Sequence, residues 1–107
     1  MTDRKIVLTT TGSREEAQRL ARALIDAREA ACVNIMGPIE SVYRWKGEVE
    51  TASEWLLIIK TTTQALAKVQ GKIRLLSSYD LPECIEISVE GGTAEYLAWI
   101  GEEVRMK

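Results

Sequence analysis

Two long apolar stretches separated by Lys46-Gly47 constrain this chain more than any other feature of its sequence. Cys32 to Trp45 and Glu48 to Thr61 each read as one strand. At about 3.3 Å per residue, a strand of about 14 residues reaches roughly 46 Å. Gly37-Pro38 interrupts the first stretch, and proline supplies no amide donor, so a bulge or bend is expected there. Gly47 can take the positive φ of a G1-bulge hairpin. The ribbon must project beyond the core, and a two-stranded ribbon alone is at best marginal in water. Within the return strand, Trp55 to Ile59 (WLLII) is continuously apolar. An antiparallel strand with one wet face alternates, so this one needs cover on both faces. The helices on one side supply half of that. A terminal helix or a second copy of the chain must supply the rest, and identical chains usually close cyclically. The expectation is an oligomer.

The other elements fall around this hairpin. Lys5 to Thr11 is short and β-branched, a strand that Gly12 ends. Ser13-Arg14-Glu15-Glu16 has the spacing of a capping box. Ala17, Leu20, Ala21, Leu24 and Ile25 then keep helical spacing and predict one buried stripe. Arg14, Arg19, Arg22 and Arg28 lie off that stripe and read as a solvated face. Thr63 to Leu76 predicts a second helix through Leu66, Val69, Ile73 and Leu76. Gly71 weakens it by about 1 kcal/mol. Beyond Pro82, Ile85, Ile87 and Val89 alternate with Cys84, Glu86 and Ser88 as a half-buried strand, which Gly91-Gly92 ends. Thr93 to Val104 predicts a third helix carrying Tyr96, Leu97, Trp99 and Ile100. The order β-α-β-β-α-β plus a helix is an α+β, ferredoxin-like sandwich with a four-stranded antiparallel sheet. One domain over residues 1–107 is expected.

Composition narrows the function. With 14 Lys and Arg against 16 Asp and Glu, the formal charge is −2. A mildly acidic chain with no basic block is a poor nucleic-acid binder. No apolar run approaches the roughly 20 residues that span a bilayer. Met1 to Lys5 runs straight into a strand without signal-peptide architecture, so a cytoplasmic location is expected. Cys32 and Cys84 are expected to be free, buried core residues. The chain has no histidine. That removes the commonest general base and the commonest transition-metal ligand. No nucleophile with an activating base can be picked out, so an enzyme is the least favoured class.

Several ordered motifs together resemble one family. Ala30-Ala31-Cys32-Val33-Asn34-Ile35 is similar to "AACVNI", and Ser41 to Glu48 (SVYRWKGE) to "SxYxWxGxxE". Leu57 to Thr62 (LIIKTT) resembles "LxxKTT", and Tyr79-Asp80-Leu81-Pro82-Glu83 the end of "HPYxxPE". Glu95 to Ile100 (EYLAWI) is similar to "YLxWL". These are motifs of the CutA family, the divalent-cation tolerance proteins, and the resemblance runs from Ile6 to Ile100. It implies a ferredoxin-like subunit, a homotrimer packed around the long hairpins, and a link to copper and other divalent metals without an established reaction. Ser77-Ser78 stands where the family usually has His-Pro, and Thr9 where some relatives have cysteine. The borderline and soft ligands are therefore gone.

What remains is a small set of candidates. Asp80 and Glu83 could form a weak hard-ion site. The same cluster with Tyr79 also reads as turn chemistry plus a hydrogen bond between subunits. Trp45, Lys60 and Tyr79 are candidate ligand-binding residues of a cleft between subunits. Lys60 could pair with a buried carboxylate such as Glu83. Tyr43 and Trp45 fit interface anchors better than cofactor contacts. Three functions follow: a trimeric metal-tolerance protein, a small-molecule sensor of the PII type, or a structural trimer. No glycine-rich phosphate loop supports the sensor.

Overall fold

The computed structural model describes residues 2–105; Met1, Met106 and Lys107 lie outside the described residues. The chain forms β1 (Arg4–Thr11), α1 (Arg14–Asp26), β2 (Cys32–Trp45) and β3 (Glu48–Thr62). A single 3-10 turn (Thr63–Ala65) leads into α2 (Leu66–Leu76), followed by β4 (Ile85–Ser88) and α3 (Ala94–Glu103). The four strands make one antiparallel sheet in the order β2-β3-β1-β4, the ferredoxin-like topology that the sequence predicts.

The register defines the two faces. Val7 pairs with Ile59 and Thr9 with Leu57 on one face. There α1 packs against α2 and against β1, β2 and β3. Val7, Leu57 and Ile59 are fully buried with Leu20, Leu24, Val69 and Ile73. On the other face Leu8 of β1 pairs with Ile58 of β3 and Ile85 of β4, Ile6 with Lys60 and Ile87, and Thr10 with Leu56. Helix α3 reaches only one end of this face, where Arg4 Nε donates to the Leu97 carbonyl at 2.7 Å. Leu56 and Ile58 are half-buried, whereas Ile85 and Ile87 are 50% and 42% exposed. The apolar run thus has full cover on one side and partial cover on the other. Ile85 and Ile87, expected half-buried, are exposed because β4 is a four-residue edge strand and α3 does not extend over their face.

Local chemistry decides several details. Ser13 caps α1, its side chain accepting from the Glu16 amide at 3.1 Å. The reciprocal arm of the capping box is not made. Glu16 instead accepts the Ser78 amide at 3.0 Å and the Ser78 hydroxyl at 2.8 Å, tying α1 to the segment after α2. Ile25, expected on the buried stripe, is exposed at the last turn of α1. Lys46 (φ 51) and Gly47 (φ 84) both have positive φ and are closed by the Trp45–Glu48 pair. That is a two-residue turn of the I′ kind rather than the expected G1 bulge, and its twist matches the strands. The bulge in β2 is where proline predicted it. Met36 faces Leu56 and Ile39 faces Glu54, so Gly37 and Pro38 together oppose Trp55. Glu48–Glu54 of β3 continue past the end of β1 with β2 as their strand partner, and the molecule is 44 Å along its longest axis.

Candidate functional site

The base of the projecting hairpin meets the segment between α2 and β4, and a cleft of about 890 Å³ lies between them. Two carboxylates hold that segment in place. Glu16 grips Ser78 from the helix side, and Glu54 of β3 accepts the Tyr79 hydroxyl at 2.7 Å. Tyr79 also packs over Gly12, where a Cβ would stand 3.2 Å from the hydroxyl oxygen. At the far end Thr9 donates to the Glu83 carbonyl at 2.6 Å, so the chain enters β4 at a fixed place.

The cleft is acidic and aromatic. Glu50 and Glu54 line it from the hairpin, and Asp80 and Glu83 from the opposite segment. Among the described residues no Lys or Arg lines it. Tyr43 and Trp45, 40% and 36% exposed, stand on the hairpin wall. Burial pushes the Glu83 carboxyl above its ordinary range, and the Glu54 charge adds to that. Burial likewise raises the Tyr79 hydroxyl, followed by its hydrogen bond to Glu54, so it remains a proton donor across the neutral range.

Of the residues expected from the sequence, Trp45, Tyr79, Asp80 and Glu83 are brought together here. Lys60 is not. It pairs with Cys32 and Ile6, and its Nζ lies 3.9 Å from Cys32 Sγ. Glu83 is anchored at Thr9, which faces Leu57, three positions back along β3 from Lys60. That separation is about 10 Å along the strand, so the expected Lys60–Glu83 pair does not form within the chain. Cys32 is half-buried and Cys84 exposed, against the expectation that both are core residues. Both sit on or beside the sheet's outer strands, where cover is thin. Glu54, Glu50 and Glu16 are site residues that the sequence reading missed. Glu54 had a signal: it falls in step with Leu56 and Ile58 on one face of β3, a charge at a position where burial is expected.

The fit to a metal can be judged from the donors. Among the described residues no three His, Cys, Asp or Glu side chains converge as a chelating group. Asp80 and Glu83 alone are too few oxygens for a hard ion, which takes about six to eight. The described residues of one chain therefore supply too few convergent oxygens for such an ion on their own.

These features define a class: a ferredoxin-like subunit with a long projecting hairpin and a cleft at the hairpin's base. The family model for "CutA1 divalent ion tolerance protein" matches residues 5–103, and the chain belongs to that family. It is 43% identical over 98 residues to the divalent-cation tolerance protein CutA of Thermus thermophilus, covering 92% of this chain and 95% of that protein. It is 41% identical to the chloroplastic protein CutA 1 of rice over 94% of this chain, but spans only 56% of that longer protein. The structure of the periplasmic divalent cation tolerance protein CutA from Archaeoglobus fulgidus superposes with a TM-score of 0.92 at 38% identity, covering 95% of this chain and 99% of that one.

Proposed function

We propose that this protein serves divalent-cation tolerance as a non-enzymatic homotrimer that holds a divalent cation weakly in clefts between subunits. The observation that carries this reading is the cleft itself, with four carboxylates and no basic side chain on its walls. Such a wall concentrates cations by its field even without a chelating geometry. Asp80 and Glu83 are the first-choice oxygens for the ion, with Trp45 and Tyr79 beside them; Lys60 enters only if it arrives from a neighbouring subunit. Copper is the metal that the family resemblance suggests, although the donors here are hard oxygens with Cys84 as the one sulfur nearby. The trimer is supported by the under-covered second face of the sheet and by the exposed Tyr43 and Trp45 on the hairpin. The cytoplasm is the proposed location, and no helix among the described residues is long and apolar enough to cross a membrane.

Sedimentation equilibrium tests the assembly: a mass of three chains is expected, and a stable monomer would overturn it. Calorimetric titration with copper, zinc and magnesium tests the site. Weak, saturable binding that disappears in the Asp80→Ala/Glu83→Ala double variant is expected. Binding that survives the double variant would place the site elsewhere.

A further inference from the structure

Helix α2 turns Val69 and Ile73 into the core, and Leu66 and Leu76 pack against the same cluster. Its opposite side carries Ala67, Gly71 and Leu75, all exposed. Residues four apart share one side of a helix, so these three form a single line along it. Leu75 is 78% exposed, more than any other large apolar side chain among the described residues. Gly71 stands at the middle of the line, and nothing inside the chain requires it. Its backbone is helical, without positive φ, and a Cβ there would meet no atom within 4 Å. A glycine inside a helix weakens it relative to alanine. What it offers in return is open access, because another backbone can come close where no side chain stands.

Charge selects the partner. Lys68 and Arg74 are exposed on either side of the line, and neither pairs with a carboxylate among the described residues. No Asp or Glu occurs anywhere from Lys60 to Tyr79, in a chain whose formal charge is −2. The carboxylates that touch α2 do so at its flanks, Glu29 against Lys72 at 3.4 Å and Glu86 against Gln70 at 2.6 Å. Two free cations are few for a polyanion. Nucleic-acid binding is built on about six to ten phosphate contacts, and attraction to an anionic bilayer on clusters of about four to eight basic residues. An apolar line with one cation on each side instead complements a helix that has an apolar line of its own bordered by carboxylates.

We infer that the outer side of α2 docks an acidic amphipathic helix of a partner protein, its apolar line seated on Ala67, Gly71 and Leu75 and its carboxylates on Lys68 and Arg74. None of these residues lines the cleft. Helix α2 also covers the face of the sheet opposite the under-covered one, so the trimer proposed above leaves its outer side free. The inference goes beyond cation tolerance and does not depend on it.

The test is fluorescence anisotropy on the purified full chain in its native assembly. The probe is a labelled synthetic helix of about 14 residues, four turns, with one Ala/Leu line bordered by Glu. The control carries Lys in place of every Glu. Saturable binding of the acidic helix, at least tenfold tighter than the control and weakening as salt is raised, is expected. Leu75→Ser should weaken it at least tenfold. The double variant Lys68→Glu/Arg74→Glu should reverse the preference towards the basic helix. Gly71→Ala should raise the melting temperature yet weaken the probe several-fold, a split that a merely structural glycine would not give. No preference for the acidic helix, or an affinity unchanged by both Leu75→Ser and Gly71→Ala, would overturn the inference. So would tighter binding, through the same residues, of phosphatidylserine vesicles or duplex DNA titrated in parallel.

Discussion

Replacing Glu16 with Ala should destabilise the protein far more than the same change one residue earlier. The Glu16 carboxylate accepts two hydrogen bonds, from the Ser78 amide at 3.0 Å and its hydroxyl at 2.8 Å. Hydrogen bonds to a charged group contribute about 1.5–3 kcal/mol each. Ser78 is exposed, so water takes over part of both bonds in the variant, and a net loss of about 2 kcal/mol is expected. For a urea slope of about 2 kcal/mol/M this lowers the unfolding midpoint by about 1 M. Glu15→Ala is the matched control. Glu15 is exposed in the same first turn and shares the favourable interaction with the helix N-terminus, about 0.3–1 kcal/mol. Glu16→Gln, which keeps one acceptor, should fall between the two. All four proteins are to be unfolded at one concentration, because assembly couples to stability. Hydrogen exchange at the Ser78 amide gives a local readout: it should accelerate in Glu16→Ala and not in Glu15→Ala. Equal midpoints for the two alanine variants, with the Ser78 amide unchanged, would refute the view that Glu16 clamps this segment.

Three further outcomes are expected. Gly71→Ala should stabilise the protein by about 1 kcal/mol, because a Cβ there meets nothing within 4 Å and alanine is the better helix former; thermal melts check it, and a lower melting temperature would show that this helix face is covered. Below the ordinary glutamate value of 4.5, Glu83 is protonated whether the chain is folded or not. As pH rises through its raised folded value, the unfolded chain loses the proton more readily and stability falls. Melting temperature against pH should therefore drop across the window starting near 4.5, and Glu83→Gln should flatten that drop. Trp45→Ala should weaken assembly, so sedimentation at high dilution should report a lower mass than for the parent chain.

Most of the fold was legible because its signals are local. Proline and glycine placed the bulge and the turn, and period-2 and period-3.6 patterns separated strands from helices. The turn type escaped because Gly47 alone does not show that Lys46 also adopts positive φ. The continuous run at Trp55–Ile59 announced a strand that needs cover on both faces, and the sheet bears out the shortage on one of them. The cleft was legible only in half. Tyr79, Asp80 and Glu83 are consecutive enough to be seen together, but their partners Glu54 and Glu16 lie 25 and 62 residues from the residues they hold. Lys60 was misplaced for the same reason: the register that separates it from Glu83 is a long-range fact. The exposure of Cys84 followed from the shortness of β4, which alternation alone does not reveal.

The bulge at Gly37-Pro38 also governs how this sequence can drift. Before it, Cys32, Asn34 and Met36 face the even-numbered residues of β3; after it, Ile39, Ser41, Tyr43 and Trp45 do. The two-against-one step thus changes the phase of β2 by one residue, and that phase puts Tyr43 across from Glu50 and Trp45 across from Glu48. Losing Gly37 or Pro38 would restore one-against-one pairing with Trp55 and leave both aromatic rings on their face, whereas losing a residue between the bulge and Tyr43, with the bulge kept, would send both to the opposite face. Point substitutions along the hairpin are open to selection one at a time. A single-codon deletion between the bulge and Tyr43 is not, because with the bulge kept it would exchange the hairpin's two faces at a stroke, and only a loss at the bulge itself leaves them in place.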